Sequence, residues 1–308
     1  MAEKIHVIPY IDQPGPFWDN LFNNYSSFIK EVYFPVQSDF IGTGRPVQPA
    51  KYLNDFLRND AIPKSILINP VILPRPVNEI KEVILEYLTD MVENYNIVGV
   101  SVVNPSLAGI IKSEFPSLEI TASTLMDIST VQQVIMLRAN VDAIVPSGRI
   151  IRDIGQMQEI RASFHGKIRL LVNESCLPSC LYRTQHFYEM SDFSNKHPES
   201  LCIDQLARFP WMRLTGSWIL PQHLHFFDGL YDEIKLAGRV TLSNPADYLE
   251  IMENYFLKRT IGIKKIGGGP ASIPYGINIT NEFYEHTLHC NKNCDECSIC
   301  MDYWIANT

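Results

Sequence analysis

The stretch Ile66-Leu-Ile-Asn69-Pro70, followed by Ile80-Lys-Glu-Val-Ile-Leu-Glu-Tyr-Leu-Thr-Asp-Met91 and then by Val98-Gly-Val-Ser-Val102, decides the fold. The outer pieces are short β-branched runs of strand length, and the first ends in a turn-forming Asn-Pro. In the middle piece Ile80, Val83, Ile84, Tyr87, Leu88 and Met91 recur at three- and four-residue intervals, so they share one face of a helix. A strand, an amphipathic helix and a second strand form one parallel βα unit, and the helix must lay its apolar face on the sheet.

Working outward, similar runs occur at Ile5–Pro9, Val32–Pro35, Leu118–Ala122, Ala143–Pro146, Ile168–Asn173, Arg213–Gly216 and Glu233–Ala237. Further helices are expected from near Ser129 to Arg138 and from Asn244 to Phe256. The first would end at Ala139-Asn140 with Asn140 in the left-handed conformation, and the second carries Pro245 in its first turn. Eight or nine strands over about 235 residues favour a TIM-barrel-like (β/α)8 domain over a doubly wound sheet. The expected division is a barrel over residues 1–265, then a connector containing Gly267-Gly268-Gly269-Pro270 and a short cysteine-rich tail over 266–308.

With 308 residues, 46% hydrophobic and 19% charged, the chain can bury a large core. A net charge of −8 gives no basic footprint for nucleic acid. Neither a signal-like N-terminus nor a run of about 18 apolar residues is present, so a cytoplasmic protein without membrane contact is expected. In that compartment seven cysteines suit metal ligation better than disulfides.

In a parallel α/β fold the residues after each strand converge on the functional face. Here they read Asn69-Pro70, Asn104-Pro105, Ser123-Thr124, Ser147-Gly148-Arg149, Asn173-Glu174-Ser175-Cys176, Thr215-Gly216-Ser217 and Gly238-Arg239. Many are also ordinary turn formers. Cys176 and Cys180 follow one strand directly and Cys202 comes later, so three thiols could meet at the barrel mouth. Arg183 and His186 follow Cys180, and His186 could serve as an acid–base group or a ligand. His223 and His225 fall in Pro221-Gln-His-Leu-His, which reads as a helix start, where positions two apart do not face each other. The tail His289-Cys290-Asn-Lys-Asn-Cys294-Asp-Glu-Cys297-Ser-Ile-Cys300 places four thiols in one short loop. Soft sulfur ligands at that spacing select an iron–sulfur cluster or, in the tail, zinc.

Several of these segments resemble the U32 peptidase-like family, which includes collagenase-like proteins and oxygen-independent hydroxylation proteins. The resemblance is carried by Asn173-Glu174-Ser175-Cys176-Leu-Pro-Ser-Cys180-Leu-Tyr-Arg183 after a strand and by Ile234-Lys235-Leu236-Ala237-Gly238-Arg239 before a helix through Tyr248 and Tyr255. Ala122-Ser123-Thr124 and Val145-Pro146-Ser147-Gly148-Arg149 add to it, and it spans roughly residues 95–260. The resemblance implies a barrel holding a 4Fe-4S cluster, with Cys176, Cys180 and Cys202 as ligands and Arg149, Arg183 and Arg239 lining the mouth. Typical members carry four core cysteines where this chain has three before the tail, so a tail thiol completes that cluster or the tail binds a second centre. Ile150 stands where the family pattern has an acid after Arg149.

The function expected on these grounds is an iron–sulfur-dependent redox or modifying enzyme, such as an oxygen-independent hydroxylase. Its substrate would be a small molecule, an RNA base or a peptide, and a paralogous U32-type subunit or an electron donor would be its partner. The catalytic candidates are Arg149, Arg183, His186 and Arg239. A non-catalytic, metal-stabilised partner subunit and a U32-type peptidase are the alternatives. Neither a Gly-x-Ser-x-Gly elbow nor a His-Glu-x-x-His helix supports the last.

Overall fold

In the computed structural model the described residues are 4–36, 41–42, 44, 50–191, 202–238, 244–266 and 276–308. Eight parallel strands, β1 (His6–Pro9), β2 (Ile29–Pro35), β3 (Lys64–Ile68), β4 (Ile97–Val102), β5 (Glu119–Ala122), β6 (Ala143–Ile144), β7 (Lys167–Leu171) and β8 (Glu233–Lys235), close into a barrel in sequence order. Pairing of His6 with Ile234 and of Val7 with Lys235 seals it. Around it run α1 (Gly15–Tyr25), α2 (Leu53–Leu57), α3 (Val77–Asn94), α4 (Pro105–Glu114), α5 (Val131–Leu137), α6 (Ile154–Ser163), α7 (Arg183–Ser191), α8 (Cys202–Arg208) and α9 (Pro245–Phe256). The TIM-barrel-like architecture read from the alternation of runs is the one observed.

Local chemistry explains the helix starts. Asn104 accepts from the backbone N–H groups of Ser106 and Leu107 with Pro105 next, and Thr130 with Gln133 forms a reciprocal capping box for α5. Asn244 caps α9 ahead of Pro245. Two expectations need correction. Arg213–Gly216 is no strand but the end of a 3-10 helix, Pro210–Thr215, that starts on a proline. Asn140 is not left-handed; α5 ends at Arg138 in right-handed geometry.

Alternation along the strands separates two environments. Ile8, Phe34, Ile66, Val100, Ile120 and Ile234 face the helices and join one continuous core, whereas Val7, Tyr33 and Leu67 form a separate small cluster inside the barrel, with the Lys235 ammonium over the Tyr33 ring. The same core takes in Ile277, Ile279, Tyr284 and Trp304. Two further helices, α10 (Asn281–Leu288) and α11 (Ile299–Asn307), are thus docked on the barrel. The glycine-rich connector lies outside the described residues.

At the end where the strands begin, the interior is charged. Arg169, 1% exposed, reaches Glu31 at 2.9 Å and Glu233 at 2.7 Å and also pairs with Glu119. Lys30 meets Glu119 at 2.7 Å and Glu233 at 2.5 Å, and Lys167 meets the same two carboxylates at 2.7 and 3.2 Å. Three cations thus offset three carboxylates. Burial raises the Glu119 carboxyl, but Arg169, Lys167 and Lys30 outweigh it and bring it from 4.5 to about 2.

Removing Arg169 leaves the buried Glu31 with no cation among the described residues and takes one cation from Glu119 and Glu233, so Arg169→Met should cost about 3–5 kcal/mol in urea unfolding. The depressed Glu119 carboxyl contributes stability that is complete above its unfolded value and is lost as pH falls through about 2. Glu119→Gln should therefore flatten the acid limb of the stability profile between about pH 4.5 and 2. An unchanged limb would remove this carboxylate from the network's energetics.

Candidate functional site

The opposite end of the barrel carries the sequence-predicted groups. After β7 the chain passes through Asn173, whose side chain accepts from Ala237 N at 2.6 Å and donates to the Ala237 and Ile266 carbonyls. This ties the rim of β7 to that of β8, so Asn173 is a fastening. The loop then turns through Cys176 and Cys180, with backbone bonds from Cys180 to Leu177 and from Arg183 to Cys180, and delivers Arg183 at the head of α7.

Arg183 is 4% exposed, and its guanidinium lies over the Phe187 ring. Its Nε is 3.9 Å from Asp127 Oδ1 and its Nη1 3.8 Å from Glu174 Oε1, too far for hydrogen bonds. Nη1 and Nη2 have no hydrogen-bond partner, and neither does Glu174 Oε2. Burial works against the charge, yet Glu174, Cys176, Asp127 and Cys180 raise the arginine above its ordinary value. A glycine at 148 makes room, because a Cβ there would stand 3.3 Å from Nη2.

Asp127 organises the neighbouring wall from the left-handed region, at φ 58°. Its Oδ1 accepts from Ser147 Oγ and its Oδ2 from Arg149 Nε at 3.0 Å. Arg149 and Arg183 are thereby brought to one carboxylate. His186 sits one turn beyond Arg183 on α7, half-buried. Ser217 donates its hydroxyl to the Gly148 carbonyl at 2.7 Å and its backbone N–H to the Cys176 carbonyl at 2.9 Å, joining three rim segments. Arg239 lies outside the described residues.

Cys202, at the start of α8, has its thiol raised by burial and by Cys180, while Arg213 opposes this. Among the described residues no three His, Cys, Asp or Glu side chains are arranged to hold a metal ion. The donors still suit an anionic sulfur-ligated group in chemistry and neighbourhood. Cys176 and Cys180 lie on the loop that leads into a buried cation whose two terminal nitrogens have no hydrogen-bond partner.

The tail cysteines form a separate group in the loop between α10 and α11. Cys294 and Cys297 are exposed and Cys290 and Cys300 half-buried. Burial pushes the Cys300 thiol up to about 11, with Cys290, Cys294 and Cys297 adding to it and Arg152 opposing. Lys292, left-handed at φ 62°, donates its backbone N–H to Cys290 Sγ at 3.3 Å. The buried His223 stacks on Tyr284 at 4.0 Å, and burial followed by Arg152 lowers it to about 4, which marks it as a packing group.

Sequence reasoning missed Asp127, Glu174, Arg213 and Arg152. Glu174 lay inside the recognised segment Asn173–Cys176 without a role of its own, Arg213 opened an expected strand, and Asp127 and Arg152 each fall three residues beyond a recognised segment, after Thr124 and Arg149. In metal-free protein at pH 8, exposed Cys297 should alkylate at least about tenfold faster than Cys300, because only the thiolate reacts. Peptide mass spectrometry reads the ratio; equal rates would contradict the burial of Cys300.

No family model matches the chain. It is 24% identical over 303 residues to the uncharacterized protease MJ1657 of Methanocaldococcus jannaschii, covering 90% of this chain and 87% of that one. The solved structure of the U32 peptidase Mk0906 superposes with a TM-score of 0.56 at 14% identity, over 77% of this chain and 93% of that one. Among the described residues no helix is long and apolar enough to cross a membrane. The chain has the fold of a U32 peptidase, and the resemblance to the U32 peptidase-like family that its strand-end motifs carry is borne out by both comparisons.

Proposed function

We propose that this protein is an iron–sulfur-dependent modifying enzyme of the U32 type whose reaction takes place at the mouth beside Cys176, Cys180 and Cys202. The observation that carries the reading is Arg183, a buried cation with two unpartnered donors, standing at the end of the loop that carries Cys176 and Cys180. A cluster held by thiolates is anionic, and Nη1 and Nη2 would donate to its sulfur atoms.

Cys176 and Cys180 would hold such a group, with Cys202 drawn in from α8. The group would supply electron transfer and Lewis acidity, which side chains lack. Asp127 would fix Arg149 at the rim to bind and orient an anionic part of the substrate. Glu174 and Asp127 keep the Arg183 charge in place, and Phe187 shields it from water. His186, one turn away, is the group that would hold or move a proton. A peptidase is the second reading, favoured by the names of the two similar proteins. Thiols committed to a metal make poor nucleophiles, which ranks it lower.

Anaerobic purification followed by iron, sulfide and zinc analysis tests the proposal. Wild type should carry iron and sulfide in equal amounts, and Cys176→Ala should lose the mouth complement. Colourless protein without iron or sulfide, cleaving peptides even as Cys176→Ala, would overturn the proposal in favour of hydrolysis.

A further inference from the structure

Arg152 is used by nothing described so far. It follows β6, is 7% exposed, and lies between two aromatic rings, 4.6 Å from the Trp218 centroid and 4.6 Å from that of Tyr284. One terminal nitrogen donates to the Leu214 and Gly216 carbonyls at 3.0 and 2.7 Å, and the other to Thr287 Oγ1. Both terminal nitrogens are therefore hydrogen-bonded, but to neutral partners. Among the described residues no carboxylate pairs with it.

A buried cation without a counter-ion is costly, and such groups persist when an anion is supplied. Tyr284 does not supply one, because burial keeps its phenol protonated. The other groups whose charge reaches the guanidinium are Cys300 and Cys290. Both ends of the tail loop are anchored around Arg152. Thr287 and Tyr284 belong to α10, which ends at Leu288 just before Cys290, and α11, carrying Cys300, packs against the 3-10 helix whose Leu214 carbonyl Arg152 binds. The Lys292 N–H donated to Cys290 Sγ is a bond that strengthens when the sulfur is a thiolate. A divalent ion held by four thiolates carries a double negative charge, and forming the centre releases four protons from the thiols to solvent.

A hydrogen-bonded path leaves Arg152 in the other direction. It holds the Gly216 carbonyl, and the next residue, Ser217, donates its backbone N–H to the Cys176 carbonyl at 2.9 Å. Gly216 admits no side chain, since a Cβ would meet the Trp218 ring at 2.8 Å and the Ser175 carbonyl at 3.1 Å.

We propose that a metal ion draws Cys290, Cys294, Cys297 and Cys300, which do not stand as a ready ligand set in this structure, into a tetrathiolate centre docked on the barrel wall. Arg152 is its counter-cation and links its occupancy to Cys176 through Gly216 and Ser217. This rests on the metal reading of the tail cysteines and goes beyond it by giving the tail a fixed partner and a role at the mouth. Arg152 is a positioning residue here, acting through backbone it holds.

The test uses the full chain with Cys180→Ser and Cys202→Ser, which leaves Cys176 and the four tail thiols. Titration of the metal-free protein with Co2+ should give a tetrathiolate absorption spectrum, and loading should change the alkylation rate of Cys176 at least about twofold. Arg152→Gln should weaken Co2+ binding by about tenfold or more and abolish the change at Cys176. Arg152→Lys keeps the charge but loses the fork on the two carbonyls, so it should bind Co2+ within about threefold of the parent while losing the response of Cys176. This second variant decides the matter if Arg152→Gln does not fold. Absence of Co2+ binding in the parent sinks the metal reading of the tail. Binding that is equally tight in Arg152→Gln leaves that reading intact and overturns the role of Arg152, as does an equal loss in the Gln and Lys variants.

Discussion

The molecule depends first on the Arg169 guanidinium inside the barrel, where Glu31, Glu119 and Glu233 surround it from β2, β5 and β8. A small barrel must fill its interior with side chains. Here much of that filling is charge, and a buried charge is tolerated only when it is paired with good geometry. Three carboxylates and three cations meet that condition, and they hold strands that lie far apart around the ring. The β-strands can then be very short, two residues in β6 and three in β8, because side-chain bonds across the lumen supplement the ladder.

The two ends of the barrel use arginine differently. At the closed end every nitrogen group of Arg169 faces a carboxylate. At the mouth Arg183 is almost as deeply buried, yet Asp127 and Glu174 stand nearly 4 Å away and two nitrogens have no partner. A folded protein leaves few such groups, and those it leaves mark sites of function. The same contrast fits the general arrangement of parallel barrels, in which the strand starts carry stability and the strand ends carry chemistry.

The barrel itself was legible in the sequence because its outer core is built from β-branched runs that alternate with apolar-striped helices. One expected strand was false: Arg213-Leu-Thr-Gly216 reads as a short strand ending on a turn glycine, and only the earlier Pro210 hinted at a helical start. The thiol sets were legible from spacing. What escaped notice depends on meetings between distant positions. Glu31, Glu119, Arg169 and Glu233 are separated by up to about two hundred residues, and each looks like an ordinary polar strand residue. Asp127 looks like a loop aspartate until its left-handed backbone turns both oxygens onto Ser147 and Arg149. Arg152 follows Ile150-Ile151 and carries no motif at all.

These hidden meetings bear on how a short cysteine loop can matter to a site elsewhere on the barrel. Four clustered thiols on an otherwise free segment would concern only that segment. Here α10 and α11 are part of the main core, through Tyr284, Leu288 and Trp304, so the loop between them is held at both ends. Any ion that draws its sulfur atoms together must work against, or with, helices already fixed to the barrel. The buried cation whose charge reaches Cys300 also holds the backbone carbonyls of Leu214 and Gly216, next to the segment that fastens the mouth. Charge at the loop and position at the mouth are therefore tied through a single guanidinium, and its burial between two aromatic rings leaves it little freedom to adjust alone.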